Sequence, residues 1–577
     1  MKLLPFENVP LHTPRRFVPE QIDLGDWEQI EPLYDRLEAG APLCANITDL
    51  ERWILDGGEL AAALDEEASK RYIAMTSHTD SPEAEAAHLH FVEQIEPQFK
   101  PRRFKLEELY LAHPLRAQLP RPRYTVFDRD TQMRVELYRP ENVALETEEA
   151  RLGQQYQKLC GALNVQFRGE EQTLTQMGRY LEETDRALRQ EAWELITNRR
   201  IQEANKFENL FEQMLALREQ IARNAGFANY LEYGFKMRGR FDYTPADCVK
   251  FHDAIESEFM PAVRELQAER REKLGLDSLR PWDLGVDPLN RPPLRPCERV
   301  EQMVAKTQHI FDQLDGWLAG GFRTMQDLKL LDLANHKGKA PGGYQCTLAE
   351  SRLPFIFMNA VGQQLDVKIL LHEAGHAFHA LATQDEEIFA YRNNPPIEFC
   401  EVASMSMELL GNEYIESFYA PPEAKRARRT HLEDVLRMFP WTATVDAFQH
   451  WIYSHPGHTR TERRTAWLAL MDRFGGDVDW SGHEAARATL WHRQLHIFLL
   501  PFYYVEYAIA QLGALQLWAN SKADKAKALQ DYRSALTLGG SRPLPELFSA
   551  AGCRFDFTVA TVKPLVELVR GELVGLA

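Results

Sequence analysis

Apolar residues recur at helical spacing along most of the chain, with charged residues between them. The longest such region runs from Glu141 to about Gln267 and contains many charge pairs four residues apart. The same pattern covers residues 26–72 and 81–114, and it returns from residue 366 to the end of the chain. Both features are typical of amphipathic helices. The pattern therefore predicts a mostly α-helical fold.

One region departs from helical spacing and predicts strands. In residues 328–360, apolar and polar positions alternate on either side of a Gly-rich loop. Alternation with a period of two is typical of half-buried strands, so we expect a small antiparallel sheet just before the helix near residue 366. Residues 120–140 predict irregular structure with a short strand. Prolines predict an extended arm over residues 1–20 and a loop over residues 280–297.

Composition and charge exclude several classes of protein. Hydrophobic residues make up 44% of the 577 residues and charged residues 26%, which is typical of a folded globular chain and not of a disordered one. The formal net charge of −18 disfavours nucleic acids and anionic membranes as partners, because both bind clustered Lys and Arg. No run approaches the roughly 20 apolar residues that a membrane span needs.

The cysteines and the N-terminus indicate a compartment. Seven cysteines are spread along the chain without a Cys-x-x-Cys pair, which favours free thiols in a reducing environment. The first residues, Met1-Lys-Leu-Leu-Pro-Phe-Glu-Asn, lack the apolar run of a signal peptide. We therefore expect a cytoplasmic protein, and the sequence leaves its oligomeric state open.

The segment His372-Glu373-Ala-Gly375-His376 contains the pattern His-Glu-x-x-His on a predicted helix. Residues four apart lie on one face of a helix, so the two imidazoles can bind one metal ion. Glu373 lies beside them, where it could take a proton from water at that metal. Gly375 is costly inside a helix and predicts close packing. The alternative is a helix with two solvated or core histidines.

A third ligand is needed, and the next predicted helix offers three carboxylates. Glu401 and Glu408 are seven residues apart and therefore share a face of that helix. One could bind the metal, while the other accepts the remaining ring N–H of a ligating histidine. Glu398 lies on the same face and is a competing ligand. An ordinary amphipathic helix with exposed glutamates is the alternative for this segment.

These residues closely resemble those of the M3 family of zinc oligopeptidases, with the oligoendopeptidase F-like branch as the nearest match. The resemblance covers roughly residues 150–555. It is carried by the following segments: His372-Glu-Ala-Gly-His376-Ala-Phe-His379, Glu401-Val-Ala-Ser with Glu408, Asp185-Arg-Ala-Leu-Arg189, Ala225-Gly-Phe-Ala-Asn-Tyr230, Asp242-Tyr-Thr-Pro245, Pro281-Trp-Asp283 and Gly342-Gly-Tyr344.

The resemblance implies a fold and a metal site. The expected fold is mostly α, with two helical halves that enclose a deep substrate channel and a small antiparallel sheet next to the zinc helix. One Zn²⁺ per chain is expected, with Glu401 as the third ligand and Glu408 bonded to a ligating histidine. Residues 1–140 would form an N-terminal arm and helical region. Residues 141–577 would form the catalytic region, with the zinc site at 366–410 and a His/Tyr helix at 490–520.

A second cluster of chemically active residues lies near the C-terminus. Tyr503 and Tyr507 follow His496 by seven and eleven residues, so a continuous helix would place all three on one face. An aromatic core stripe is the alternative. The resemblance implies that the histidine and tyrosines of this region donate hydrogen bonds to the substrate oxyanion. Either Tyr503 or Tyr504 could be the partner of Tyr507.

The loop residues Gly342, Gly343 and Tyr344 and the strand Phe355–Asn359 come just before the zinc helix. They predict either a plain structural hairpin or an exposed strand edge. An exposed edge could pair with the backbone of an extended peptide, which gives affinity with little side-chain selectivity.

The function implied is that of a zinc-dependent oligoendopeptidase that hydrolyses internal bonds of short unstructured peptides. Water activated by the metal would attack the peptide carbonyl, with Glu373 as general base. One alternative is a helical zinc carboxypeptidase or dipeptidyl carboxypeptidase. Another is a peptide-binding protein without activity, although such a protein would have no need of Glu373.

Overall fold

Helices make up most of the chain in the computed structural model, which describes residue 6 and residues 9–576. The predicted mostly α fold is confirmed. In this part of the chain the α-helices are α1 (Trp27–Gly40), α2 (Ile47–Ser77), α3 (Pro82–His90), α4 (Glu96–Ala112), α5 (Thr125–Leu137), α6 (Asn142–Gly161), α7 (Leu174–Met177), α8 (Arg186–Gln202), α9 (Ala204–Asn224), α10 (Tyr230–Met237), α11 (Pro245–Ala254), α12 (Met260–Lys273), α13 (Val300–Leu314), α14 (Gly316–Asp327), α15 (Gln364–Ala382), α16 (Phe389–Asn393), α17 (Ile397–Asn412), α18 (Pro421–Ser454), α19 (Arg460–Phe474), α20 (Glu484–Ala488), α21 (Leu495–Leu499), α22 (Tyr504–Ala523), α23 (Lys525–Leu536), α24 (Leu544–Ala550) and α25 (Val559–Gly575).

Shorter turns of other helix types connect several of these elements. Two are π-helical turns, Phe91–Ile95 and Ile255–Phe259, and the second continues directly from α11. The 3₁₀ turns are Ala41–Leu43, Arg116–Gln118, Gly178–Leu181, Pro281–Asp283, Ile415–Ser417 and Leu490–Arg493. The loop predicted over residues 280–297 contains only the short Pro281–Asp283 turn.

The strands of the described residues form two small sheets. β1 (Asn164–Phe167) and β2 (Glu170–Thr173) form an antiparallel hairpin. β3 (Leu331–Ala334), β4 (Tyr344–Leu348) and β5 (Leu353–Ala360) form the second sheet in the order β3-β5-β4. The second sheet lies where the sequence predicts it, directly before α15.

Two sequence-based expectations about strands were wrong. The second sheet is mixed and not purely antiparallel, because β3 pairs with β5 in parallel while β4 pairs with β5 antiparallel. β5 takes the centre because nearly all of its residues are buried, on both faces. The β1–β2 hairpin lies inside the region predicted to be helical; Arg168 and Gly169 both have positive φ and form its two-residue turn.

Residues 120–140 were also predicted wrongly, since α5 occupies most of that segment. Tyr124 and Val126 are buried at its start and pack in one apolar cluster with Leu50, Ile54 and Tyr110. Aromatic and β-branched residues such as Tyr124 and Val126 favour strands locally. Their burial against α2 and α4 outweighs that preference.

The chain divides into two compact units, and each takes several separate segments of the sequence. The described residues of the first unit come from Met1–Val135, Arg295–Arg428 and Ala510–Phe555. The second unit comprises Glu136–Leu294, Arg429–Ile509 and the described residues of Asp556–Ala577. One boundary, after Val135, lies near the predicted division at residue 140. That division stays a prediction, and residues 1–5, 7 and 8 of the expected arm lie outside the described residues.

In the first unit, α15 and α17 form the most buried part around the predicted site. From Glu401 to Asn412, every residue of α17 is buried. α15 begins directly after the sheet, where the Asp366 carboxylate accepts hydrogen bonds from the backbone N–H groups of Val361 and Gln363, each at 2.8 Å. This capping fixes the start of the helix that carries the His-Glu-x-x-His pattern.

In the second unit, a buried carboxylate joins two elements of the segment Glu136–Leu294. Asp283 is fully buried and accepts two hydrogen bonds from Arg186 at 2.9 and 2.8 Å and one from Arg189 at 3.2 Å. These contacts attach the Pro281–Asp283 turn to α8. Among the described residues, no helix has both the length and the apolar character needed to cross a membrane.

Candidate metal centre and its surroundings

The close approach of α15 to α17 depends on a glycine. A Cβ atom at Gly375 would lie 2.5 Å from the backbone oxygen of Ala403 and 2.5 Å from Cα of Ser404. Any side chain there would push the two helices apart. The close packing predicted from Gly375 is therefore present, and it brings the histidines of α15 near the carboxylates of α17.

His372, His376 and Glu401 bring their ligand atoms together. One nitrogen of each histidine and one carboxylate oxygen of Glu401 all lie within 4.8 Å of one another. Nε2 of His372 is 3.3 Å and Nε2 of His376 is 3.7 Å from Oε2 of Glu401. Two ligands of one tetrahedral zinc ion lie about 3.4 Å apart, so this set could hold such an ion. The set does not include the competing carboxylate of Glu398.

Neighbouring side chains orient two members of this set. Nδ1 of His372 is 2.7 Å from Oε1 of Glu408, which leaves Nε2 of the ring directed at Glu401. Nζ of Lys368 lies 3.5 Å from the other oxygen of Glu408. The Ser404 hydroxyl donates to Oε2 of Glu401 at 2.9 Å. A carboxylate on the second nitrogen of a histidine ligand is the usual support of a metal site.

Burial and charge shift the pKa values of this group strongly. Burial opposes protonation of His372, but its hydrogen bonds with Glu401 and Glu408 raise its pKa well above the ordinary value. Burial lowers the pKa of His376 to about 4. Burial opposes ionisation of Glu401, yet its electrostatic interaction with the His376 ring and its hydrogen bond with His372 lower its pKa to about 2. Glu401 is therefore an anionic ligand, and His376 is neutral with its lone pair available.

Glu373 lies beside the ligand set but does not belong to it. Its side chain is buried, and this burial raises the pKa of its carboxyl group to about 7, with the nearby His372 charge acting in the opposite direction. A backbone hydrogen bond from Gln345 in β4 also favours the charged form. A carboxylate whose pKa lies near neutrality can both accept and return a proton.

β4 is one of the two edge strands of the sheet, and the backbone of its Gln345 donates a hydrogen bond to Glu373. Gly342 has φ of 101°, which favours glycine, and Gly342 and Gly343 are exposed. The ring of Tyr344 stacks on Phe357 at 4.8 Å, and its hydroxyl is 2.7 Å from that of Thr76. The side chain of Tyr344 thus packs within the first unit, while the two glycines keep the loop open.

His496, Tyr503, Tyr504 and Tyr507 form the predicted ring cluster, in the second unit. The ring of His496 lies 5.6, 4.8 and 5.8 Å from those of Tyr503, Tyr504 and Tyr507, respectively. All four side chains are partly exposed. The alternative of a buried core stripe does not describe them. Because His496 contacts all three tyrosines, the contacts do not favour Tyr503 over Tyr504.

The four rings of this cluster do not lie on one continuous helix. A His/Tyr helix was predicted within 490–520, with the shared face conditional on its continuity; in the structure α21 ends at Leu499 and α22 begins at Tyr504. Phe502 has φ of 63° in this break. Arg238 donates to the carbonyl of Pro501 at 2.5 Å, and Arg240 donates to that of Phe502. Arg240, which is buried, and Arg238, which is partly buried, therefore satisfy carbonyl groups that the interrupted helix leaves without partners.

Other residues at the metal set were not identified from the sequence. Lys368 contacts Glu408, and Ser404 contacts Glu401. The sequence features that could have identified them are their spacings: Lys368 lies four residues before His372, and Ser404 lies three residues after Glu401. His379 is buried against Phe399, and burial lowers its pKa to about 3. It is a neutral core residue of α15.

The fold and this site define a class: mostly helical proteins in which a His-Glu-x-x-His helix and a glutamate of the next buried helix form a candidate metal centre. The family model for peptidase family M3 matches residues 179–566, which is more than half of the chain. The chain belongs to peptidase family M3, and this confirms the resemblance found in the sequence.

Solved structures and a curated relative agree with this assignment. The chain is similar to PZ peptidase A in complex with an inhibitor, with 28% identity, a TM-score of 0.88, and coverage of 97% of this chain and 99% of the other. It is equally similar, with the same values, to a candidate oligoendopeptidase F. The oligoendopeptidase F homolog of Borreliella burgdorferi is 24% identical over 225 residues, 38% of this chain. That alignment spans 37% of the relative's length.

Proposed function

We propose that this chain is a zinc-dependent oligoendopeptidase that hydrolyses internal bonds of short unstructured peptides. The observation that carries the proposal is the set of His372, His376 and Glu401 with Glu373 beside it. Membership of peptidase family M3 and similarity to PZ peptidase A support it. A cytoplasmic location is also proposed, since none of the seven cysteines forms a disulfide bond.

The donor atoms of the set suit one Zn²⁺ ion. Two imidazole nitrogens and one carboxylate oxygen are common zinc ligands, and a set of three leaves one position open. The side chains of His372 and His376 are 22% and 18% exposed, so water and substrate can reach that position. Zinc held there would act as a Lewis acid, making water more acidic and polarising the peptide carbonyl.

Glu373 moves the proton in the proposed reaction. Its carboxylate accepts a proton from the attacking water and returns it to the nitrogen of the leaving amine. The pKa of about 7 matches this double role, because neither protonation state is strongly favoured near neutral pH. Glu408 holds the ring of His372 in the orientation that directs Nε2 toward Glu401.

The ring cluster and the edge strand have proposed roles in substrate binding. His496, Tyr503 and Tyr507 donate hydrogen bonds to the oxygen that becomes negative during hydrolysis, with Tyr504 as the alternative partner of Tyr507. Loss of one such donor typically costs about 10²–10³ in rate. Gly342 and Gly343 leave the start of β4 accessible to the backbone of an extended peptide, whereas Tyr344 contributes its backbone and not its ring.

The test is a digest of a mixture of short synthetic peptides, analysed by mass spectrometry, alongside a folded protein. The wild type should cut internal peptide bonds, a zinc chelator should abolish cleavage, and the folded protein should remain intact. Release of only one or two C-terminal residues would instead indicate an exopeptidase. A zinc-loaded enzyme that cleaves no peptide would favour a binding protein.

The general-base assignment has its own variant. Glu373→Gln should retain zinc but lose at least about 10²-fold in kcat, because the amide cannot accept the proton. Glu398→Gln is the matched control, since Glu398 is a buried glutamate outside the ligand set. Zinc content and peptide turnover would be measured on both variants, and full activity in Glu373→Gln would contradict the assignment.

A further inference from the structure

A second set of metal-ligating side chains lies in the second unit. α11 carries Cys248 and His252 four residues apart, and α18 carries Asp446 and His450 four residues apart. Each pair therefore shares one face of its helix. All four side chains are buried, with exposures of 1%, 2%, 0% and 9%, respectively. The proposed peptidase mechanism uses none of them.

The ligand atoms converge on a small volume. Sγ of Cys248, a carboxylate oxygen of Asp446 and a ring nitrogen of His450 all lie within 4.8 Å of one another. Nε2 of His450 is 3.3 Å from Oδ2 of Asp446. Nε2 of His252 is 2.8 Å from the same oxygen. The separation between His450 and Asp446 is that of two ligands of one zinc ion, about 3–4 Å, whereas the contact of His252 is a hydrogen bond to Asp446.

Two of these atoms lack the partners that buried polar atoms normally have. Within the part of the chain that the structure describes, Oδ1 of Asp446 and Nε2 of His450 are buried and make no hydrogen bond, although Nε2 lies 3.3 Å from Oδ2 of Asp446. A buried acceptor or donor left in this state is costly, by about 1–3 kcal/mol each. The rings of Phe235 and Phe502, at 5.6 and 5.9 Å from that of His450, offer no alternative partner.

We propose that Cys248, Asp446 and His450 bind a divalent transition-metal ion, with Zn²⁺ as the preferred species. Thiolate, imidazole and carboxylate are all zinc ligands, and a thiolate disfavours Mg²⁺ and Ca²⁺. The thiolate and the carboxylate together neutralise a dication, so the buried complex carries no net charge. His252 holds the Asp446 carboxylate through a hydrogen bond with Oδ2, while Oδ1 makes no hydrogen bond, so the carboxylate retains an oxygen for the metal.

The site is structural and not catalytic. Its ligands are more buried than those at the α15–α17 set, where the two histidines are partly exposed. A metal here would cross-link α11 to α18 inside the second unit. It would do so just before the π-helical turn Ile255–Phe259, where the regular hydrogen bonding of α11 ends. Binding of an ion to the folded state alone also raises stability.

Cobalt substitution can observe this site separately from the peptidase site. A thiolate ligand gives Co²⁺ a charge-transfer absorption in the near ultraviolet, and the set of His372, His376 and Glu401 contains no sulfur. The full-length double variant His372→Ala/His376→Ala would be stripped of metal and titrated with Co²⁺. We expect one tightly bound cobalt per chain, with the thiolate absorption rising to saturation at one equivalent.

Variants then identify the ligands. Cys248→Ser in the same background should abolish the thiolate absorption, while Cys553→Ser, which alters another buried cysteine, should leave it unchanged. Zn²⁺ should displace the cobalt and raise the thermal unfolding midpoint, and Asp446→Asn should remove that rise. A cobalt-treated protein that shows no thiolate absorption and binds no metal would overturn the proposal. Absorption that persists in Cys248→Ser would overturn it as well.

Discussion

At the scale of single residues, the candidate metal centre depends on buried carboxylates that are paired with neighbouring side chains. Glu408 lies outside the ligand set, contacts His372 and is buried. Burying a carboxylate is costly unless it is paired. Here the partners are the imidazole of His372 and Lys368. The position of Glu408 is therefore best explained by the need to hold His372 as a ligand.

Removal of that partner should weaken metal binding without removing a ligand. We predict that Glu408→Ala lowers the affinity for Zn²⁺ by about 10–100-fold, because the ring of His372 loses its orientation and part of its basicity. Competition with a chelator of known affinity would measure the change. Glu398→Ala, on the same helix, is the control and should stay close to the wild type; an equal loss in both variants would contradict the specific role of Glu408.

A second prediction at this scale concerns the effect of Gly375 on stability and zinc binding. In Gly375→Ala the added Cβ would lie 2.5 Å from the Ala403 oxygen, so α15 and α17 must separate. We expect a loss of about 1–3 kcal/mol in the free energy of unfolding, together with weaker zinc binding. Denaturant titration would measure the first effect.

The matched control is Gly320→Ala, because Gly320 lies in α14 and a Cβ there would meet nothing within 4 Å. That variant should be neutral or more stable, since alanine favours a helix by about 1 kcal/mol over glycine. A stable Gly375→Ala variant with normal zinc affinity would show that the two helices tolerate a wider separation.

At the scale of elements, the sequence predicted those helices and strands that depend on the local spacing of apolar residues. We could predict the His-Glu-x-x-His helix, the buried helix of Glu401 and the strands before them. The repeat of apolar residues that identifies each element is a local property of the sequence. The break between Leu499 and Tyr504 was not predicted in detail. It depends on Arg238 and Arg240, more than 250 residues earlier, which bind its carbonyl groups. The β1–β2 hairpin was missed because its strands have only four residues each.

The contact between α8 and the Pro281–Asp283 turn gives a prediction about stability. Asp283→Asn should cost about 3 kcal/mol, because it leaves the buried Arg189 without its anionic partner. Asp477→Asn is the control, because Asp477 is exposed and lies 3.7 Å from Arg264. Equal stability of the two variants would show that neutral hydrogen bonds suffice at Asp283.

The same contact makes the stability depend on pH. Burial opposes ionisation of Asp283, but hydrogen bonds from Arg186 and the backbone of Arg280 lower its pKa below the ordinary value of 3.8. A lowered pKa in the folded state means that the stabilisation is complete above that value and disappears as the pH falls through the lower, folded-state pKa. Denaturant titrations should therefore show a constant difference between the wild type and Asp283→Asn near neutral pH. That difference should shrink only in acid, below pH 3.8.

At the scale of the whole molecule, the mostly helical fold could be predicted, but not which distant segments pack together in one unit. Each unit is built from segments that are distant in sequence, such as Met1–Val135 and Arg295–Arg428 in the first. The helical spacing of apolar residues shows where a helix forms, but not which distant helix or strand it packs against. The candidate metal centre was predictable despite this, because Gln364–Ala382 and Ile397–Asn412 are consecutive long helices with their ligands on facing sides.

The charge of the whole molecule leads to a last prediction about substrates. A formal net charge of −18 creates a negative potential that raises the local concentration of cationic peptides. For two peptides of equal length and identical cleavage site, one flanked by lysines and one by glutamates, kcat/KM should favour the lysine peptide by about tenfold at low ionic strength. The preference should fall as salt rises to about 150 mM, where the Debye length shortens to about 8 Å.

A neutral peptide with the same cleavage site separates this long-range effect from recognition by individual side chains. Its kcat/KM should change little with salt, because the field of the protein does not attract it. A lysine preference that persists unchanged in high salt would mean that acidic side chains contact the substrate directly, since buried or close charge pairs are screened much less than distant ones. A preference for the glutamate peptide would mean that local positive charge, and not the net charge of the molecule, selects the substrate.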